Sequence, residues 1–174
     1  MDLSKVKIAG PQTITFAGVN MGHTLDGVEF SYEREFEDVV VDKYGSMPVD
    51  KVLTGSKVMI KFKLAQAEWR QWNLAIPETS SYDGAGTADR VDLGADAGYS
   101  LRGDSAALLI HPTRLSTSDQ TEDITIYKAV SVENIEVPYK IDEQKVIEVT
   151  LMGLVDESYE TGRRLGHIGS AAVS

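Results

Sequence analysis

Within residues 28–42 the side chains alternate between two chemical types with a period of two. In an extended strand this period places successive side chains on opposite faces of a sheet. One face is mainly apolar and comprises Val28, Phe30, Tyr32, Phe36 and Val40, interrupted by Arg34 and Asp38. The other face carries the acids Glu29, Glu33, Glu35 and Glu37. The sequence therefore predicts a long strand with a core-facing side and an acidic side.

A second alternating run, residues 56–64, is predicted to be the antiparallel partner of this strand. Its apolar face comprises Val58, Ile60, Phe62 and Leu64, and its polar face carries Lys57, Lys61 and Lys63. Antiparallel pairing sets the lysines across from the glutamates. Each exposed pair contributes roughly a few tenths of a kcal/mol, so the pairs act more on register than on stability.

The predicted hairpin is longer than its own domain. Fifteen residues of strand span roughly 50 Å, whereas a compact domain of this length is about 40 Å across. The hairpin tip, residues 43–55, carries five apolar side chains: Tyr44, Met47, Val49, Val52 and Leu53. Exposed apolar surface commonly marks an interface, so these residues are predicted to contact another subunit. The alternative is that the tip folds back onto its own domain.

The rest of the chain also has the pattern of short strands. They are predicted at residues 12–17, 106–111, 124–132, 135–141 and 145–152. One helix is predicted, because Ala65, Trp69, Trp72 and Ile76 form an apolar stripe at helical spacing that Pro77 ends. We therefore expect a mainly β fold over residues 1–174: a β-sandwich or half-barrel with one flanking α-helix and a long protruding hairpin.

Two segments lack any apolar periodicity. Residues 78–104 are rich in Gly, Ala, Ser and Asp, which predicts a flexible surface loop. Residues 159–174 are small and polar, which predicts either a mobile tail or an arm laid on a neighbouring subunit.

Composition narrows the function classes. The 174 residues include no cysteine, which excludes disulfides, thiolate metal sites and a cysteine nucleophile. The net charge of −10 opposes sequence-independent binding to a phosphate backbone and suits a surface that nucleic acid passes without adhering. No apolar run approaches the roughly 20 residues of a membrane span, and the N-terminal residues do not have the pattern of a signal peptide, so cytosolic synthesis is expected.

Chemical motifs are sparse. His23, His111 and His167 are far apart, and no nucleophile, nucleotide or zinc-protease signature occurs. The carboxylates of residues 83–96 do not have the spacing of an EF-hand calcium loop. Trp69 and Trp72, at helical spacing with Ala65 and Ile76, are interpreted as packing residues. The sequence therefore predicts neither an enzyme nor a cofactor or metal site.

Four segments, taken in order, resemble the tail tube proteins of long-tailed bacteriophages. They are residues 18–28 (GVNMGHTLDGV), the hairpin with the tip YGSMPVD at residues 44–50, the strand 56–64 running into the helix, and residues 135–157, which end in VIEVTLMGLVD. The resemblance covers most of the chain and lies in order and spacing rather than in a specific motif. It predicts a non-enzymatic structural subunit of the virion tail, assembled in the host cytoplasm.

The family's architecture implies six copies in a ring, with the inner sheets joined into one barrel and the rings stacked into a tube that delivers DNA. The hairpin tip and the termini would bridge to the next ring. The implied partners are further copies of this chain, the tape measure, tail terminator and baseplate or tip proteins, and passing DNA that is not specifically bound.

The acids Glu29, Glu33, Glu35 and Glu37 are the first candidates to line the bore of such a tube. Six copies of a chain of net charge −10 carry −60 per ring, so DNA would slide rather than adhere. Lys57, Lys61 and Lys63, on the same face, would neutralise much of this field.

Three other interpretations stay open. The same architecture would serve a contractile tail, a phage-derived bacteriocin or a type VI secretion system. A different class is a β-sandwich carbohydrate-binding or adhesion module that uses Trp69, Trp72 and the Gly/Asp-rich loop. The third is an enzyme with a site assembled from scattered acids and His111, for which the sequence offers no positive support.

Overall fold

The computed structural model describes residues 10–65, 68–84, 88–142 and 144–171. Within these residues the elements are β1 (Gln12–Phe16), β2 (Val19–Asn20), β3 (Thr24–Val40), β4 (Pro48–Leu64), α1 (Trp69–Ala75), β5 (Thr79–Tyr82), β6 (Arg90–Leu93), β7 (Ala106–Pro112), β8 (Ile124–Ser131), β9 (Ile147–Gly153) and β10 (Gly166–Ile168). Two short 3-10 helices span Asp42–Tyr44 and Leu101–Asp104. The predicted mainly β fold with one α-helix and a long hairpin is confirmed. In the described chain no helix is long and apolar enough to cross a membrane.

The strands form one large antiparallel sheet in the order β2-β1-β7-β8-β9-β4-β3. β10 pairs with the first half of β8, and β9 pairs with the second half. β5 and β6 form a separate hairpin.

Chain connectivity curls this sheet. β2 and β3 lie at opposite ends of the strand order, yet β2 ends at Asn20 and β3 begins at Thr24. The short link forces the two sheet ends together, and hydrogen bonds from Met21 N to Ile14 O (2.9 Å) and from Ala65 N to His23 O (2.9 Å) fasten the closure. The result is a half-barrel with its concave face turned inward.

The core fills this concave face, and period-two alternation decides which residues enter it. In β4 the predicted apolar residues Val58, Ile60, Phe62 and Leu64 are all buried. They pack with residues of the other strands into one cluster: Ile14, Phe16, Met21, Leu108, Ile110, Ile126, Ala129, Ile147, Val149 and Leu151. Fully burying each large aliphatic side chain contributes about 1.5–3 kcal/mol, so this cluster is the main source of stability.

β3 and β4 form the predicted hairpin, but their pairing extends as far as Val40 and Pro48, so residues 48–55 belong to β4 and not, as predicted, to the tip. Glu29 lies opposite Lys61 and Glu33 opposite Lys57. The predicted apolar face of β3, however, is core-facing only at its start: Val28 and Phe30 pack against the core, whereas Tyr32, Phe36 and Val40 are exposed. The reason is that the remaining strands are too short to cover a 17-residue strand.

The helix begins later than predicted. Ala65 lies in the bend after β4, because its backbone N–H is bound to His23, and α1 starts at Trp69. The stripe is also rotated. Gln71 and Ala75 are the buried residues of α1, while Trp72 and Leu74 are partly buried and pack against the core.

The strand predicted at residues 135–141 does not form in the single chain. Ile135 and Val137 pack against the core, but within the described structure no strand pairs with this segment. β4 already occupies the free edge of β9. The predicted strand is therefore wrong, and its alternating apolar residues divide into Ile135 and Val137, which face inward, and Tyr139 and Ile141, which are exposed.

Two segments predicted to lack structure are partly ordered. Residues 78–104 contain the β5–β6 hairpin, with Arg90 over the ring of Tyr82 (4.6 Å to its centroid) and a 3-10 helix; residues 85–87 lie outside the described residues. These strands are too polar for apolar periodicity to reveal them.

The C-terminal segment, predicted to be mobile or to lie on a neighbour, packs on its own domain as far as β10, and residues 172–174 lie outside the description. Tyr159 stacks on Tyr127 with ring centroids 3.7 Å apart. At Gly166 a Cβ would lie 2.1 Å from Thr125 O, so the close strand approach requires glycine. Small residues at these positions hide the strand from a hydrophobic pattern.

Candidate assembly surface

The outer half of the β3–β4 hairpin stands clear of the sheet. β9 pairs with β4 only from Met59 to Leu64. β3 and β4, by contrast, stay paired as far as Val40 and Pro48. Every residue from 32 to 54 is exposed. We call residues 32–54 the arm; its β3 strand alone extends roughly 30 Å.

The arm carries the apolar residues that the sequence predicted to form an interface. Their exposed fractions lie between 47% for Val49 and 67% for Met47, and the set is Tyr44, Met47, Val49, Val52 and Leu53. Five more large apolar residues of the arm are also exposed: Tyr32, Phe36, Val39, Val40 and Val41. The tip thus does not fold back onto its own domain.

Apolar side chains lie on both faces of the arm. Phe36 is opposite Leu53 on one face, and the next pair along, Glu37 and Val52, lies on the other. A two-stranded ribbon by itself is marginally stable in water. Many large apolar side chains exposed on one short segment are typical of a protein–protein contact.

Local contacts hold the shape of the arm. Lys51 Nζ lies 3.2 Å from Asp38 Oδ1, and the guanidinium of Arg34 lies 5.5 Å from the ring centroid of Phe36. Near the root, the Tyr32 hydroxyl donates to Ser56 Oγ at 3.3 Å. All are exposed, so each contributes little to stability. The Lys51–Asp38 and Tyr32–Ser56 contacts join β3 to β4, whereas Arg34 and Phe36 both lie in β3.

The predicted acidic row is exposed along one face of β3. Its inner members, Glu29 and Glu33, face lysines across the hairpin, but Glu35 lies opposite Gly55 and Glu37 opposite Val52. The outer end of the row therefore keeps its negative charge uncompensated by cross-strand partners.

Two of the lysines on this face pair with other carboxylates. Lys61 Nζ lies 3.5 Å from Glu133 Oε1, and Lys63 Nζ lies 3.1 Å from Asp26 Oδ2. The hydrogen bond from the Thr150 hydroxyl, helped by Lys61, holds the pKa of Glu133 below its usual value. The lysines thus neutralise the acidic face less than their number suggests.

A groove of about 610 Å³ opens at the root of the arm. Phe30, Tyr32 and Leu53 line its hairpin side, and Leu165 and Ile168 of the C-terminal segment line the other. The groove lies where β9 leaves the sheet and β10 takes its place beside β8. The groove places a concave apolar surface next to the exposed apolar residues of the arm.

The tryptophans do not form an open stacking platform. Trp72 packs against the core and has Lys145 Nζ 5.4 Å from its ring centroid, while Trp69 is half-buried with the guanidinium of Arg70 at 5.2 Å. Ile76 ends the helix. These residues position α1 on the half-barrel.

The histidines do not come together. His111 Nδ1 lies 2.6 Å from Asp123 Oδ1 in a pair whose side chains are largely buried, whereas His167 Nδ1 lies 3.1 Å from the hydroxyl of Tyr127. Both contacts fasten strands to their neighbours.

The carboxylates of the 78–104 segment are used locally. Asp104 accepts hydrogen bonds from the backbone N–H of Glu78 (2.8 Å) and from the hydroxyl of Tyr99 (2.9 Å), and the latter bond raises the pKa of Tyr99. Among the described residues no group of three or more His, Asp or Glu side chains is placed to hold a metal ion.

The outer edge of β3 is a feature of this surface that the periodicity of the sequence does not reveal. The outer edge of β3 has no strand partner in the described chain, so an edge of 17 residues is left with unpaired backbone groups. The signal was present in the overhang of the hairpin, but strand order cannot be read from periodicity.

No protein-family model matches the sequence, and a comparison with curated proteins finds no significant match.

Proposed function

We propose that this chain is a structural subunit that assembles with copies of itself into a tube of stacked rings, like the phage tail tube proteins that its sequence resembles. The observation that carries the proposal is the arm: residues 32–54 project from the domain with large apolar side chains exposed on both faces. Monomeric proteins rarely expose so many large apolar side chains together, and contact with a partner would remove them from water.

The position of the arm favours an open or ring-closing assembly. An arm that reaches roughly 30 Å from its domain contacts a different part of the next copy, and unless two copies exchange arms reciprocally this contact is heterologous. Heterologous contacts either close into rings or propagate as filaments. The long free edge of β3 supports the same conclusion, because an exposed edge is a template for pairing with another chain.

Charge is consistent with a conduit for DNA. Six copies of a chain of net charge −10 carry −60 per ring, and a like-charged wall repels the phosphate backbone. We propose Glu29, Glu33, Glu35 and Glu37 as lumen-facing acids, with Glu35 and Glu37 contributing most because no lysine lies opposite them. The hexameric ring, the virion location and the tape measure, terminator and baseplate partners follow from the resemblance.

Electron microscopy of the purified chain over a range of concentrations tests the proposal. We expect rings or hollow tubes above a threshold concentration, and a chain lacking Met47–Leu53 should stay folded and fail to form them. A discrete dimer would indicate reciprocal exchange of arms, and normal tubes from the deletion variant would show that the tip is not an interface.

A further inference from the structure

Residues 135–141, between β8 and β9, have the alternating pattern of a strand but pair with no strand among the described residues. Ile135, Val137, Tyr139 and Ile141 alternate with polar residues and with Pro138. The first two pack against the core, whereas Tyr139 is 77% exposed and Ile141 is fully exposed. In a strand these four side chains share one face. The apolar face thus begins on the core and continues beyond the domain.

Pro138 restricts how this segment can pair. Proline has no N–H, so one edge of a strand containing it lacks a ladder hydrogen bond. Such strands are found at sheet edges, paired on one side only. The segment therefore fits the role of a terminal strand that joins an existing edge.

The outer edge of β3 offers a matching pair of faces. Exposed Tyr32 and Phe36 lie on one face and the glutamates on the other. A strand added with Tyr139 and Ile141 beside these aromatic residues would place Lys140, and with it Glu136, on the acidic face, because strand neighbours alternate. The apolar match therefore sets the orientation, while the favourable charge of Lys140 is offset by that of Glu136.

We propose that residues 135–141 of one copy add as an edge strand to the outer edge of β3 in the next copy. The inference rests on the proposed self-assembly and names the segment that makes the contact between subunits. Each copy gives one strand and receives one, so in a closed ring every β3 edge gains a strand partner along part of its length.

Cross-linking tests the pairing directly, because the chain has no native cysteine. Chains carrying Ile141→Cys are assembled with size-tagged chains carrying Phe36→Cys and treated with a short bismaleimide. We expect a mixed cross-linked dimer. As a matched control, Leu93→Cys places a thiol at a residue that is 71% exposed on β6, and it should not cross-link to Phe36→Cys.

Substitution provides the second measurement. Tyr139→Asp with Ile141→Asp should raise the threshold concentration for assembly at least about tenfold, since the proposed contact would no longer bury these two apolar side chains. Tyr82→Asp with Leu93→Asp should leave the threshold within about twofold.

The outcomes separate the two proposals. If the unmodified chain never assembles, the proposed function fails and the pairing fails with it. If it assembles but the Ile141→Cys cross-link does not exceed the Leu93→Cys control, only the strand pairing is overturned.

Discussion

Replacing two apolar residues at the tip of the arm separates its role in assembly from its role in folding. Met47 is 67% exposed and Leu53 is 50% exposed, so burying both in a contact removes from water about one complete side chain's worth of apolar surface. At about 1.5–3 kcal/mol per fully buried side chain, Met47→Ser with Leu53→Ser should weaken each contact by about 2–3 kcal/mol.

This loss corresponds to roughly a 30- to 150-fold higher threshold concentration for assembly. The free energy of unfolding of the isolated chain should change by less than about 0.5 kcal/mol per substitution, because both residues are exposed and make no core contact. Sedimentation velocity gives the threshold, and chemical denaturation at low concentration gives the stability.

Leu93→Ser with Val155→Ser is the matched control. These residues are 71% and 46% exposed and lie away from the arm, so the same amount of apolar surface is removed elsewhere. The reasoning is refuted if the arm variant and the control have the same threshold as the unmodified chain, or if the arm variant is less stable as a monomer.

Three further predictions concern charge, backbone and pH. Raising the salt concentration should lower the threshold concentration for assembly, because screening weakens the repulsion between subunits of net charge −10. Light scattering in a NaCl series measures this threshold, and a threshold that rises with salt would contradict the prediction. Gly166→Ala should cost about 1–3 kcal/mol of stability, because its Cβ would meet Thr125 O, while Gly103→Ala, which faces open space, should cost less than about 1 kcal/mol. The hydrogen bond from the Ser158 backbone holds the pKa of Asp156 below its usual value, so the stability that its carboxylate contributes is complete above about pH 5 and is lost as the pH falls through the lowered pKa. Between pH 7 and pH 3 the free energy of unfolding should therefore fall less steeply for Asp156→Asn than for the unmodified chain, and equal slopes would contradict this.

Strand periodicity predicted the core of the half-barrel well. The alternation through Val58, Ile60, Phe62 and Leu64 identified four residues that are all buried, because an antiparallel sheet with one solvated face enforces a period of two. The same rule assigned Tyr32 to the core-facing side of β3, but in the structure Tyr32 is exposed. Periodicity reports which side chains share a face, but not whether another strand covers that face.

Partner choice accounts for most of what the sequence did not reveal. Residues 135–141 have a strand pattern but no strand partner among the described residues, whereas Gly166 belongs to a strand with no apolar pattern that pairs with β8. Pairing depends on which edges the topology leaves open, and that is a property of the assembled sheet. The arm was predictable because the hairpin that carries it, at roughly 50 Å, is longer than the domain width of about 40 Å.

Electron microscopy of the purified full chain, from dilute to high concentration with light scattering on the same samples, tests self-assembly most directly. We predict stacked rings or hollow tubes that appear above a threshold and are lost in Met47→Ser with Leu53→Ser. A monodisperse monomer at every concentration would contradict the assignment of the arm as an interface between copies of this chain.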